Sequence, residues 1–426
     1  MTRKPLIFAA IAVVLLAGCV ALWIMWEPGI AAVQPPGASS FDRQLKLDGA
    51  RVVALGDCAV CHTAKGGKPF AGGLPLATPF GTIYATNITP DADTGIGAWS
   101  LDAFTRAVRR GISRDGHQLY PAFPYIHFTR MSDHDVSAAY AYLMSRDPVK
   151  ATTPDNKLIF PLNFRPLVAF WNVMFLRPGE RTADAAQSVE WNHGRLLVDG
   201  LGHCAACHSP LNVIGGEKSR QAFDGGQVDG WDAPPLNQLS NAVKPWSHEQ
   251  LVTYLRTGRA SEHGAAAGPM LPVTRDLATV PQADVEAIAT YLLSIQKPVT
   301  EAAGETATQD AATTASAQRG AILFNGSCAS CHGRDSPMQT IGKRPTLAFS
   351  TAVNAQTPRN AIQMMMGGVP WHGEDTINYM PPFGEVFSNN QLADLAIYLR
   401  SAYSKRAQWK TVNDSVVKIR KENDAR

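Results

Sequence analysis

The chain has 426 residues, 45% of them hydrophobic and 18% charged, with a formal net charge of +3, 29 prolines and 35 glycines. That length accommodates about two to four globular domains. The near-balanced charge, with no basic block outside the C-terminal tail, excludes a nucleic-acid partner. Six of the seven cysteines lie in three Cys-x-x-Cys-His motifs, so no pair remains for a disulfide.

Thr2-Arg3-Lys4-Pro5 is basic, and residues 6–26 then run without a charge. At about 1.5 Å per residue this run spans roughly 30 Å, enough for a bilayer core. The basic start keeps the N-terminus cytoplasmic, which predicts a single anchor in the inner membrane with everything after Glu27 on the periplasmic side. Leu16-Ala17-Gly18-Cys19 matches a lipoprotein cleavage box, and Cys19 is the cysteine outside the three motifs, so a cleaved and lipidated start is the alternative. Trp23 and Trp26 at the outer boundary suit an interfacial belt and favour an uncleaved anchor. Residues 1–40 therefore read as anchor and spacer, the spacer carrying Pro35-Pro36.

The same programme then recurs three times, over residues 41–150, 188–299 and 318–405. Its signature is Cys58-Ala59-Val60-Cys61-His62, Cys204-Ala205-Ala206-Cys207-His208 and Cys328-Ala329-Ser330-Cys331-His332. Two thiols separated by two residues can each add to one vinyl group of a single porphyrin, and the adjacent histidine supplies the proximal nitrogen to iron. The three motifs thus predict three covalently bound haem c groups. A zinc site needs a second ligand pair at matching spacing, and a redox dithiol of the thioredoxin kind needs a βαβ setting; neither is present. A glycine precedes each motif (Gly49, Gly194, Gly320), where a missing Cβ permits close helix crossing. Each repeat closes on an apolar helix bearing Tyr142-Leu143, Tyr291-Leu292 or Tyr398-Leu399. Trp99-Ser100 and Trp246-Ser247 open further helices in the first two repeats, with serine as the N-cap. The fold class implied is mainly α: three class I cytochrome c domains in tandem behind an N-terminal transmembrane helix.

The connections differ. Residues 300–317, rich in Ala and Thr, read as a flexible linker, and residues 406–426 as a C-terminal tail. The bridge over residues 151–187 contains an apolar run at 168–176, too short to span a membrane. It reads as an interdomain core helix, with a patch against a partner or the bilayer surface as the alternative.

An electron carrier fills the sixth iron position with a thioether or a second imidazole, and in this fold that ligand comes from the loop before the closing helix. Met380, in Tyr379-Met380-Pro381-Pro382, fits for the third repeat, and Met270, in Gly268-Pro269-Met270, for the second. The loop of the first repeat, residues 119–131, offers His127 or Met131. Met131 adjoins the cap of the closing helix at Ser132 and Asp133; His127 lies deeper in the loop, and bis-histidine ligation would lower that haem's potential.

With these residues in view, the chain resembles the triheme cytochrome c subunit of bacterial membrane-bound dehydrogenases that oxidise alcohols, gluconate, sorbitol and aldehydes. The resemblance covers nearly everything after the anchor. It rests on Thr86-Asn87-Ile88-Thr89-Pro90 with Thr94-Gly95-Ile96-Gly97, on residues 119–125, on Glu190-Trp191-Asn192 through Gly202-His203-Cys204, on Gly268-Pro269-Met270 and on the three attachment motifs. It implies electron transfer from the catalytic subunit of a dehydrogenase, with or without a small iron-sulfur subunit, to ubiquinone or a terminal oxidase. The alcohol and gluconate branch has methionine where this chain has Phe123. Phenylalanine there, followed by His127, is more similar to cytochromes paired with molybdenum and iron-sulfur hydroxylases of aldehydes or N-heterocycles. A partner of the PQQ or flavin alcohol and gluconate type is the alternative. The rival from another class is a multihaem peroxidase with an open first haem.

Overall fold

Gly49, Gly194 and Gly320 decide where the principal helices cross. In a computed structural model that describes residues 4–298, 311–341, 344–369 and 380–424, a Cβ on Gly49 would stand 2.0 Å from the carbonyl oxygen of Ala138. On Gly194 it would stand 1.9 Å from that of Ala287, and on Gly320 2.1 Å from that of Asp394. The same contact thus joins helix Arg43–Leu55 to Asp133–Met144, Val189–Leu196 to Gln282–Ser294, and Ala311–Ser327 to Asn389–Tyr403. Backbone touches backbone at each crossing, and only glycine allows that approach. The sequence expectation of a repeated crossing is met at the level of single atoms.

The described chain divides into two compact units. The first takes residues 1–186 with 196–203 and 213–216; the second takes the remainder to residue 426. In the first unit the helix Lys4–Met25 is followed by the crossed pair and by helix Leu101–Arg110. Ser100 caps that helix by accepting from the Ala103 amide at 3.2 Å, and Gly111, at φ 65°, ends it in the left-handed region. Helix His248–Thr257 of the second unit repeats the design, with Ser247 accepting from Gln250 at 3.2 Å and Gly258 at φ 70°. Ser132 and Asp135 form a reciprocal capping box on the closing helix Asp133–Met144, and Ser388 and Gln391 do the same on Asn389–Tyr403. β-Structure is marginal: strands Pro75–Thr78, Gly81–Tyr84 and Lys157–Leu158 form one antiparallel sheet, in register Pro75 to Tyr84 and Gly81 to Leu158.

Three segments differ from the sequence expectation. Residues 311–317, read as linker, already belong to helix Ala311–Ser327, whose alanines are strong helix formers; residues 300–310 lie outside the described residues. The expected tail instead forms helix Val412–Asp424. Val412, Val416 and Ile419, at helical spacing, and Trp409 ahead of them are buried in the same core as Phe324, Ile362, Leu392 and Leu395. Arg420 ties this helix down by donating to the carbonyls of Gly384 (2.8 Å) and Phe387 (3.0 Å). In the bridge, helix Val168–Phe175 buries only Val168 and Ala169 and leaves Val173 and Met174 exposed, so it is not a core helix throughout.

Candidate haem-attachment sites

Each attachment motif winds as one helical turn: Cys58–Cys61, Cys204–His208 and Ala329–His332. None of the seven cysteines, all of them described, is in a disulfide. Burial, with a smaller contribution from Cys331, pushes the Cys328 thiol up to about 11.

The proximal histidines show how the sites are built. His62 Nδ1 donates to the carbonyl of Thr86 at 2.6 Å, and His208 Nδ1 donates to the carbonyl of Pro234 at 2.6 Å. A carbonyl can only accept, so the proton resides on Nδ1 and the lone pair on Nε2, the tautomer and orientation an iron ligand requires. Burial holds both imidazoles below their ordinary value and so favours the neutral form that binds metal. His332 is lowered to about 4 by burial and by the nearby charge of Arg344. Its Nδ1 is buried with no hydrogen-bond partner among the described residues, residues 342 and 343 lying outside them. The donor set of two thiols and one neutral, oriented imidazole fits haem c.

The motif Thr86-Asn87-Ile88-Thr89-Pro90 acquires a mechanism here. Asn87, fully enclosed, donates from Nδ2 to Val149 O (2.7 Å) and Thr94 Oγ1 (3.0 Å), while its Oδ1 accepts from the amide and hydroxyl of Thr89 (2.9 and 2.7 Å). This knot ties the loop carrying the Thr86 carbonyl to the chain leaving the closing helix, and so fixes His62 indirectly. Asn237 is its counterpart in the second unit, donating to Ala222 O (2.9 Å) and Asp224 Oδ1 (2.8 Å), with its own carbonyl accepting from the Lys297 amide (2.9 Å). Sequence reasoning quoted the first asparagine only as part of a resemblance and missed the second. Both follow a haem motif by about 30 residues, the one signal available beforehand.

The distal candidates are placed as follows. Met270 opens helix Met270–Thr279, and the preceding Gly268, at φ 53°, lies flat against the Trp231 ring, where a Cβ would clash. Met380 pairs with Val369 through two backbone hydrogen bonds of 2.9 and 3.0 Å and packs on the core of the closing helix. The sequence run Met364-Met365-Met366 reads as core on a short helix rather than as ligands, and on helix Arg359–Gly367 Met365 and Met366 are buried and Met364 is part-buried. In the first unit, His127 lies on the short helix Tyr125–Phe128 and Met131 just after it, both enclosed by protein, while Phe123 is part-exposed.

His127 Nδ1 donates to the carbonyl of Asp199 at 3.0 Å, and Arg130 donates to the same oxygen at 2.7 Å. Residues Leu197–Leu201 are wound as a π-helix, which loosens the intrahelical ladder and turns such a carbonyl outward. The Asp199 carboxylate pairs with Arg181 at 2.8 Å. His203, the residue before Cys204, donates from Nε2 to Gly56 O at 3.3 Å and sets its ring edge against Phe128. Asp199 was given no role from sequence, because a π-turn has no composition signature, and His203 was quoted only as part of the resemblance.

A cytochrome c model matches residues 47–147 and 193–296, and a model described as cytochrome C oxidase, cbb3-type, subunit III matches residues 315–399. A nicotinate dehydrogenase subunit of Pseudomonas putida is 46% identical over 405 residues, which are 95% of this chain but 34% of that protein, so the chain spans about a third of that relative. The fructose dehydrogenase cytochrome subunit of Gluconobacter japonicus is 33% identical over 437 residues, covering 96% of this chain and 87% of that protein. The gluconate 2-dehydrogenase cytochrome c subunit of Pantoea cypripedii is 36% identical over 397 residues, covering 88% and 89%. The chain belongs to the family of cytochrome c subunits of dehydrogenase complexes, electron-transfer subunits with covalently bound haem c rather than catalytic enzymes in their own right.

Proposed function

We propose that this chain is a membrane-anchored triheme cytochrome that accepts electrons from a periplasmic dehydrogenase catalytic subunit and delivers them to ubiquinone or a terminal oxidase. The observation that carries the reading is the triple recurrence of one assembly: a Cys-x-x-Cys-His turn following a helix whose glycine meets the closing helix at 1.9 to 2.1 Å. Haem c bound at such a turn supplies a one-electron couple and no substrate chemistry. His62, His208 and His332 hold iron on the proximal side, and Met270 and Met380 complete two sites as thioether ligands.

His127 completes the first. It shares with His62 and His208 the Nδ1 bond to a backbone carbonyl, which leaves the lone pair on Nε2. The resemblance carried by Phe123 and His127 points to a catalytic partner that hydroxylates an N-heterocycle or aldehyde on a molybdenum and iron-sulfur centre, and similarity to a nicotinate dehydrogenase subunit supports the N-heterocycle. The helix Lys4–Met25, with mean hydropathy 2.8 over its apolar span and an exposed surface there, supports the anchor.

Near-infrared magnetic circular dichroism with low-temperature paramagnetic resonance on the oxidised protein tests the ligand set. Two Met/His haems and one His/His haem are expected. Three Met/His haems would transfer the role from His127 to Met131. A high-spin component would mean a haem with an open position, and the peroxidase reading would replace the carrier.

A further inference from the structure

The first unit carries an apolar surface that its own core does not use. Ile159, Phe160, Leu162, Phe164, Val173 and Met174 are exposed, Phe160 at 85% and Val173 at 62%. Their backbone is tied down. Tyr120 donates its hydroxyl to Leu162 O (2.9 Å), Arg165 donates to Gln118 O (3.2 Å) with its guanidinium over the Tyr120 ring, and Ile159 N donates to Phe80 O (3.0 Å). A fixed cluster of large apolar side chains in water marks an interaction surface rather than scatter.

Two observations say what covers it. Helix Val168–Phe175 packs against the N-terminal helix Lys4–Met25. The part-buried positions described on that helix are Ala21, Ile24 and Met25, one face at its outer end, while its described side chains from Ile7 to Val20 are exposed. The apolar cluster therefore sits beside the point where the anchor emerges. The second observation is charge: between residues 156 and 179 the chain carries Lys157, Arg165 and Arg177 and no acidic residue. Within the stretch, between Asp155 and Glu180 at its two ends, the charges beside the apolar side chains are cationic, which matches a bilayer interface with anionic headgroups.

We propose that residues 159–176 lie on the outer face of the bilayer as a second, monotopic contact beside the anchor, with Phe160 and Phe164 in the interface and Lys157 and Arg177 toward anionic phospholipid headgroups. This rests on the anchor reading above and adds to it the face of the first unit turned to the lipid. A surface with a helix on one side and an interfacial patch on the other is held against rotation as well as against escape.

The test uses the full chain with Cys19→Ser, so that one introduced thiol carries a nitroxide label, placed by Phe160→Cys or, as a water-exposed control in the same unit, by Val213→Cys. The haems are reduced, and the protein is reconstituted in vesicles of phosphatidylethanolamine and phosphatidylglycerol. Power saturation then compares collision with oxygen, which partitions into lipid, against a water-soluble nickel chelate. A ratio of oxygen to nickel accessibility several-fold higher at position 160 than at position 213 is expected. Equal ratios in vesicle-bound protein would overturn the patch and leave the anchor standing, whereas failure of the protein to float with vesicles would overturn the anchor itself. A label at 160 that is water-exposed in vesicles and becomes shielded only on adding a catalytic subunit would make the surface a protein interface and overturn the proposal.

Discussion

At the scale of single residues, each site depends on groups of two kinds: those that touch iron and those that aim them. Met270→Leu or Met380→Leu removes a thioether and should lower the potential of that haem while leaving it covalently attached, as read by redox titration and haem-stained gels. Loss of haem from the protein would instead assign the loop a structural role. Gly194→Ala should destabilise the second unit by about 1–3 kcal/mol or more, since its Cβ would meet the Ala287 carbonyl 1.9 Å away; urea unfolding followed at the Soret band measures this. His263 makes a third case. It is buried, stacked on Trp246 with ring centroids 3.6 Å apart, and neither ring nitrogen has a hydrogen-bond partner among the described residues. Burial pushes it down to about 4, against the pull of Glu262 and with the push of Lys244. The fold favours the neutral ring, so its contribution is complete above the unfolded value of about 6.5 and is lost as pH falls from there through about 4. His263→Phe should keep the stack and abolish that acid limb in the pH dependence of unfolding.

Among the elements, legibility followed periodicity and composition. Serine caps, closing helices and glycine crossings were readable because each is a local rule with one physical cause, and the structure places Ser100, Ser247 and Ser132 at the caps expected of them. The C-terminal helix was missed because its buried residues, Val412, Val416 and Ile419, are diluted by charged neighbours, so that the segment reads as a basic tail. Ile419 is 1% exposed, and Ile419→Ala should cost about 2–5 kcal/mol of stability in the second unit, measured by chemical denaturation. An unchanged midpoint would mean the helix is an appendage. For the first repeat the sequence offers two candidate ligands, His127 and Met131, and the bond from His127 Nδ1 to the Asp199 carbonyl, 72 residues away in the chain, has no local signal that could have been read beforehand.

For the whole molecule, the relatives and the repeats describe the same division of labour: oxidation of substrate elsewhere, passage of electrons here. Removing residues 1–26 should make the protein extractable from membranes by carbonate with its haem spectrum unchanged, because the haem motifs lie outside those residues and the spacer's polar contacts with the first unit begin at Glu27; carbonate extraction and absorbance spectra check both halves of that statement. Those contacts are numerous. Glu27 pairs with Arg110 at 2.6 Å, Pro28 O accepts from Arg106 at 2.6 Å, Ile30 N donates to Arg114 O at 2.7 Å, and Val33 N donates to Ala98 O at 3.0 Å. The segment read from sequence as a spacer is, over these residues, a splint. A tethered carrier searches a hemisphere of solution before each encounter, and its turnover slows as the medium thickens. A splinted one has almost no volume to search, so exchange with a membrane-bound acceptor becomes a matter of waiting for the acceptor to arrive by lateral diffusion, and its rate should follow lipid fluidity in place of aqueous viscosity.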